Sequence, residues 1–502
     1  MMLSTERREP KMGWTPPLPP EPPAPDGGLP LRDSDEIQGN ILAGFSKDHQ
    51  VFLFLSFTDA ATGRGWLSEL VPTEGPARIA STREVATFNK QFSEARRNRG
   101  GDDPERLKAI WINVSLTHAG LLKLAPNSEP DLQPFAAFRA GPVARALQLR
   151  DVDRSAPDEW VIGRPEQTID IVLTVAADSV SDLRVEVDKM RTLAAKHGLS
   201  VVFEQRGDTL PGARAGHEHF GFRDGVSQPG IIGFDEVGED GFKKGHPGDE
   251  MIQAGEFVLG HPRHDGQPWP HSDWMANGSF QVFRRLRQDV PGWWSQVTMR
   301  RHSLPSDDPM AEDLLAAKLV GRWRSGTPLA KAPERDNRSA RDRSLDNDFN
   351  YEDDREGNKT PRFAHIRKMY PRSDAFGDNQ RRILRRGIPF GRAFDPAAGR
   401  GHGVDADRGL LFNVFMASVE EQFEFLQAQW ANAPDFPGVV FGDQKSDGPD
   451  PVIGEDPAGI RVAREGHEDV ELDFRRFVQT SGSLYLFAPS LTTLRRLGQG
   501  AL

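Results

Sequence analysis

An α+β protein built from two similar halves is what the sequence predicts, and three observations carry that reading. A length of 502 residues exceeds the usual single-domain range and favours two units. Runs rich in β-branched and aromatic residues alternate with segments of helical periodicity, separated by gaps of hairpin length. The second half of the chain then repeats the style of the first.

Taken in order, residues 10–30 are Pro-rich and read as part of an extended, disordered arm (1–30), with a docking peptide for a partner as the functional alternative. Ordered sequence is expected from near Asp35. VFLFLSF (51–57), AIWINVSL (109–116) and DIVLTVAA (170–177) read as strands. SDLRVEVDKMRTLAAKHGL (181–199) reads as a helix, with Ser181 as its N-cap and Gly198 at its close, and the strand VVFEQRG follows. In the second half FQVFRRL (280–286), GLLFNVFMAS (409–418) and SLYLFAPSL (483–491) read as strands, and SVEEQFEFLQAQWANA (418–433) as a helix. The charge-dense segment 334–360 has the composition of a surface loop. The expected units are 31–215 and 216–502.

Composition excludes several classes. Hydrophobic residues at 37% and charged residues at 27% describe a globular chain with material for a core. A formal net charge of -11, without a basic cluster, argues against nucleic acid as a partner. The absence of cysteine removes disulfides, thiolate metal sites and a cysteine nucleophile. The N-terminus lacks the apolar core of a signal peptide, and no run approaches about 18 apolar residues, so no membrane span and a cytoplasmic location are expected.

Histidine is the first candidate ligand in a cysteine-free chain. His217 and His219 bracket Glu218, a weak zinc pattern without an evident third ligand, whose consequence would be a hydrolase. His261, His264 and His271 lie in a Pro/Gly/Trp-rich loop and read as surface residues. His365 differs: apolar Phe363, Ala364 and Ile366 surround it while Arg367, Lys368 and Arg372 follow, a pattern that could offer imidazole to iron and cations to haem propionates. A satisfied core histidine is the competing reading. Downstream, Arg381, Arg382, Arg385 and Arg386 sit among Ile383, Leu384, Ile388 and Phe390, so some of them point inward and need an anionic partner. Asp224, in the turn GFRDG, is one candidate.

Here the residues carry a resemblance. GFRDG (221–225) matches the GXXDG motif of the dye-decolourising peroxidases, and SQPGI (227–231) extends the match. AHIRKMYPR and RRGIPFG resemble the family's haem-ligand and distal-arginine segments. DEIQGNILAGFSK (35–47), NGSFQVFRRLRQDV (277–290), KLVGRWRSGTPL (318–329), GLLFNVFMASVEEQFEFLQ and SLYLFAPSL follow the order of the family's longer subgroup, spanning 35–491. One departure is Tyr370 before Pro371 and Arg372, where relatives commonly carry asparagine.

The resemblance implies two ferredoxin-like halves, with antiparallel sheets flanked by helices, enclosing one haem b mainly in the C-terminal half. It implies His365 as the proximal iron ligand, backed by a carboxylate that the sequence does not identify. Asp224 would shuttle a proton and Arg385 would stabilise charge, with Arg386 as second candidate for the distal arginine. Gly221 and Gly225 would let backbone approach the porphyrin, Arg367 would hold the cofactor, and Tyr370 is the candidate electron relay. The partners implied are hydrogen peroxide and an organic electron donor, a homo-oligomer being left open. A haem- or iron-handling protein with incidental turnover is the alternative.

Overall fold

The structure, a computed structural model, describes residues 28–502 except 101–103, 105–106, 302–309, 338–345, 375–377, 396–405, 439–445, 456–458 and 463–469. Residues 1–27 of the expected arm therefore lie outside the described residues. Just past it, Leu31 is buried and its N–H donates to Gly233 O at 3.0 Å.

The first half runs α1 (Gly39–Leu42), β1 (His49–Ser56), α2 (Ala60–Leu70), α3 (Thr82–Asn98), β2 (Ile110–Leu116), β3 (Ile171–Ala177), α4 (Val180–Lys196) and β4 (Ser200–Asp208). The second contributes β5 (Ser279–Gln288), the five-residue helix α5 (His365–Met369), β6 (Leu384–Arg385), β7 (Ile388–Phe390), β8 (Gly409–Met416), β9 (Val478–Ala488) and α6 (Leu491–Gln499). These strands form one nine-stranded sheet in the order β4-β1-β3-β2-β9-β5-β8-β6, with β7 also paired to β8. All pairings in it are antiparallel. With the short β6 and β7, both on the same edge of β8, counted as one strand, the order within each half is the same, fourth-first-third-second, which is the ferredoxin-like arrangement the resemblance implied. The halves meet at a narrow seam, Phe487 opposite Leu116, while β4 packs on β7 and curls the sheet toward closure.

The strands read as continuous apolar runs because both faces are buried. On β1, Val51, Leu53 and Leu55 pack under α2 and α4 with Trp66, Leu67, Leu183 and Val187. The alternate residues Phe52 and Phe54 face a second core with Phe283, Ile388 and Leu486 from the other half. Both phenylalanines are fully buried, so truncating either to alanine costs about 3–5 kcal/mol. The C-terminal helix α6 crosses back to pack on α2.

Three local expectations change. Helix α4 is capped by Ser179, whose hydroxyl accepts from Asp182 N, rather than by Ser181. The segment 418–433 is helical but π-wound over Val419–Glu424 and Leu426–Ala431, and Lys368 Nζ donates to carbonyls at its end: Trp430 (3.2 Å), Ala433 (2.6 Å) and Phe436 (2.7 Å). The charge-rich segment is exposed at 334–337 and at alternating positions beyond 347, as a surface loop would be, but Asp346, Asn347, Tyr351, Asp354 and Thr360 turn inward and are buried. Among the described residues no helix is long and apolar enough to cross a membrane.

Candidate functional site

One cavity gathers residues from the GFRDG turn, the charge-rich segment, α5, β6, β8 and the turn after Asp450. Its wall is largely apolar, with Phe222, Leu286, Val320, Ile366, Met369, Phe412 and Val452, and arginines interrupt it.

His365 enters at the first residue of α5. Pro371 ends that helix, because the residue before a proline is driven to extended backbone, and Tyr370 is extended at φ -149 and ψ 82. The His365 ring is tied through Nδ1 to Asp450 Oδ2 at 2.8 Å. Asp450 is wholly buried, and its other oxygen accepts from Val452 N (2.7 Å) and Ile453 N (3.1 Å). A carboxylate can only accept here, so Nδ1 carries the proton and Nε2 keeps its lone pair for the cavity. Asp450 lies 85 residues beyond His365 in a segment without a motif, which is why the sequence did not reveal it.

Asp224 is held at the end of its turn by its N–H, which donates to Gly216 O at 3.0 Å, and its Oδ1 accepts from Gly225 N at 2.6 Å. Arg385 meets it: Nη1 lies 3.4 Å from Asp224 Oδ1, while Nη2 donates to Ser227 O at 2.6 Å. Both side chains are about one-third exposed, 38% and 35%, and both line the cavity. A 3.4 Å contact is a weak hydrogen bond, so the pair is not locked shut against a small molecule.

Strand geometry separates the two candidate arginines. Consecutive residues on a strand point to opposite sides, so Arg385 faces the cavity and Arg386 turns back toward α1, where its guanidinium donates to the carbonyls of Asn40, Ile41 and Leu42. Arg386 is therefore not the cavity arginine.

Two other expectations are corrected. Arg367 faces away from the cavity: it is fully buried between Asp374 (2.5 Å) and Asp354 (3.3 Å), with its guanidinium 4.3 Å from the Tyr351 ring. A buried guanidinium needs carboxylates, and the charge-rich segment supplies one of them. Gly221 does not open onto the cavity either; at φ +96, a Cβ there would meet the Arg324 guanidinium at 2.9 Å. Gly225 does line the cavity, at φ +70, with nothing within 4 Å of a Cβ. Tyr370 also lines it, its ring flanked by Arg382 (3.8 Å) and Arg372 (4.4 Å).

The zinc pattern dissolves because its three side chains diverge. His217 Nδ1 lies against Ala215 O, His219 Nε2 donates to Phe390 O at 2.9 Å, and Glu218 accepts from Phe220 N, Phe222 N and Gln288 Nε2. Burial lowers His219 to about 4 and pushes Glu218 up to about 7, against its three donors. Among the described residues no cluster of three histidine or acidic side chains could hold a metal ion.

The cavity fits a haem. Its apolar walls suit a flat macrocycle, His365 Nε2 suits iron, and cations are in place for propionates. Arg322 donates to Gly326 O, Asp346 O and Asn347 Oδ1, and Arg372 donates to Asn347 O and Phe349 O; none of these partners carries a charge. The buried Tyr351 hydroxyl, also in the wall, has no hydrogen-bond partner among the described residues, and a carboxylate of the cofactor would supply one.

Residues 36–211 match the family model described as "DyP dimeric alpha+beta barrel domain", and residues 262–436 match "Dyp-type peroxidase, C-terminal". The class is thus that of haem peroxidases built on α+β barrels. A dye-decolorizing peroxidase of Mycena epipterygia is 30% identical, over 92% of this chain and 86% of its own, and the multifunctional dye peroxidase DyP2 of an Amycolatopsis species is 33% identical, over 92% and 95%. The solved structure of an ancestral D-type dye decolorizing peroxidase superposes with a TM-score of 0.78 at 32% identity, covering 92% of this chain and 98% of that one. The chain belongs to the dye-decolourising peroxidase family. It is an oxidoreductase that reduces hydrogen peroxide and oxidises dyes, phenolics or similar organic reductants, with haem as cofactor.

Proposed function

We propose that peroxide is cleaved in this cavity between two separate devices, the His365–Asp450 pair that holds one haem b per chain and the Asp224–Arg385 pair that moves the proton. The observation that carries the reading is that one apolar cavity lies against both pairs, although their four members are spread over residues 224–450 of the sequence. The absence of cysteine leaves no thioether attachment, and a non-covalently held haem b agrees with that. When bound there, haem would supply the redox-active iron that couples peroxide reduction to one-electron oxidation of the organic donor.

The protein's own residues do the rest. His365 Nε2 is the iron ligand, and Asp450 fixes its tautomer and raises its basicity. Arg322 and Arg372 hold the propionates, and Gly225 gives the turn its close approach. On the peroxide side, the Asp224 carboxylate takes a proton from one peroxide oxygen and returns it to the other. The Arg385 guanidinium stabilises negative charge on the departing oxygen. The weak contact between them opens to admit peroxide. Residues 31–215 and 216–502 serve as the two ferredoxin-like units, the second supplying the cavity.

The absorption spectrum of the purified holoprotein tests the cofactor, since a Soret band lost in His365→Ala is expected. Its persistence unchanged in that variant would remove His365 as the ligand.

A further inference from the structure

Arg386, excluded from the cavity, makes an unusual set of contacts. Nε donates to Asn40 O at 2.9 Å, and Nη2 donates to Ile41 O (2.9 Å) and Leu42 O (2.8 Å), the last carbonyls of α1. Such carbonyls lack partners within their own helix and favour a cation. Nη1 turns back onto the carbonyl of Arg385 at 3.0 Å. The Arg386 N–H donates to Asn413 O on β8 at 2.6 Å. Burial lowers its pKa to about 10, which leaves it a cation at neutral pH.

α1 is itself anchored mainly in the first half, with one bond to Pro489 of the second. The Gln38 side chain bridges Val114 N, Val114 O and Pro489 O, and Gly39 N donates to Ala80 O. Gly44, at φ +70, lies so close that a Cβ there would fall 2.9 Å from Arg386 Nε. From the other side Gln228, four residues beyond Asp224, donates through Nε2 to the same Arg385 carbonyl at 3.1 Å. One carbonyl, next to the cavity arginine, is thus gripped from the Asp224 turn and from the N-terminal half.

We propose that Arg386 is a positioning residue: by clamping α1 to the Arg385 peptide it sets the reach of Arg385 onto Asp224, so that peroxide cleavage in the second half depends on a contact with the first. The proposal rests on the reading of Asp224 and Arg385 as the peroxide-cleaving pair.

The experiment uses the haem-loaded full chain and two readouts, the dissociation constant of cyanide from the Soret shift and kcat/KM for hydrogen peroxide. Arg386→Gln and Gly44→Ala weaken cyanide binding and lower kcat/KM by about 10–100-fold, the scale expected when a catalytic group is displaced by about 1 Å. Arg386→Lys recovers part of the loss, and the resting Soret band stays in place because His365 is untouched. In an Arg385→Leu background, Arg386→Gln adds less than about twofold, because a residue acting through another is not additive with it. Wild-type cyanide affinity in Arg386→Gln and Gly44→Ala overturns the proposal, as does an undiminished effect of Arg386→Gln in the Arg385→Leu background. So does failure of all three single variants to fold, which makes the clamp a folding device. Wild-type behaviour of Arg385→Leu alone overturns the pair itself, and the proposal with it.

Discussion

Replacing Asp450 by asparagine reverses which nitrogen of His365 carries its proton. In the native structure one carboxylate oxygen takes two backbone N–H groups, from Val452 and Ile453, and the other takes His365 Nδ1–H at 2.8 Å. Asparagine has a single oxygen, and the two backbone donors claim it. Its amide N–H then faces Nδ1, which must accept, and the imidazole proton moves to Nε2, where iron must bind. The alternative, keeping Nδ1–H against N–H, leaves buried donors unpaired at about 1–3 kcal/mol. Losing the support of such an outer partner typically weakens metal binding about 10–100-fold, or about 1.4–2.8 kcal/mol at 1.4 kcal/mol per decade, so both routes give the same size. Titration of the apoprotein with haem, followed at the Soret band, is the assay. Asp450 also favours the buried Lys368 ammonium, so global stability is measured separately by denaturant. A haem affinity for Asp450→Asn within about twofold of wild type, below the smallest loss expected, refutes the tautomer argument.

Three further outcomes follow from particular contacts. Arg367→Met breaks a buried ion pair and lowers stability by about 3–5 kcal/mol in denaturant unfolding, while peroxide turnover per bound haem is unchanged; a selective loss of haem would return Arg367 to the cofactor. Burial, with Asp151 adding, pushes the Glu455 carboxyl up to about 8. The folded state therefore holds that proton more tightly than the unfolded one: the stability is full below the ordinary glutamate value of 4.5 and is lost as pH rises through about 8, so Glu455→Gln flattens the pH dependence of Tm across that window, and an unaltered slope contradicts the assignment. Tyr370, flanked by two guanidiniums that oppose a ring cation, can relay an electron only by releasing its phenol proton; Tyr370→Phe then lowers bulky-dye oxidation while sparing small phenols, and equal retention of both removes the relay.

The strands were legible because their apolar runs are long and both of their faces are buried, as Phe52 and Leu53 show from opposite sides of β1. Asp224, His365 and the arginine pair were legible as motif residues, and Asp224 as a partner for an inward arginine, but Asp450, the partner of His365, was not. What separated Arg385 from Arg386 was strand alternation beside β8, a tertiary fact that counting along the chain cannot supply. Composition read 346–360 as surface and missed its inward residues, because Asp354 is charged in sequence but paired with Arg367 in space. Periodicity saw a helix at 418–433 and had no means of seeing its π winding. Ser179 carries an acidic residue, Asp182, three positions on, whereas Ser181 is followed there by Arg184, so the N-cap was readable from the spacing and was placed two residues late.

The most direct test of the account is the rate at which the Soret band changes on rapid mixing of the haem-loaded protein with hydrogen peroxide, compared between wild type and Asp224→Asn. If Asp224 carries the proton between the peroxide oxygens, the second-order rate constant falls by about 10²–10⁴-fold in the variant while its resting spectrum and haem content match wild type. An unchanged rate constant in Asp224→Asn would show that the proton travels by another route and that the Asp224–Arg385 pair is not what cleaves peroxide.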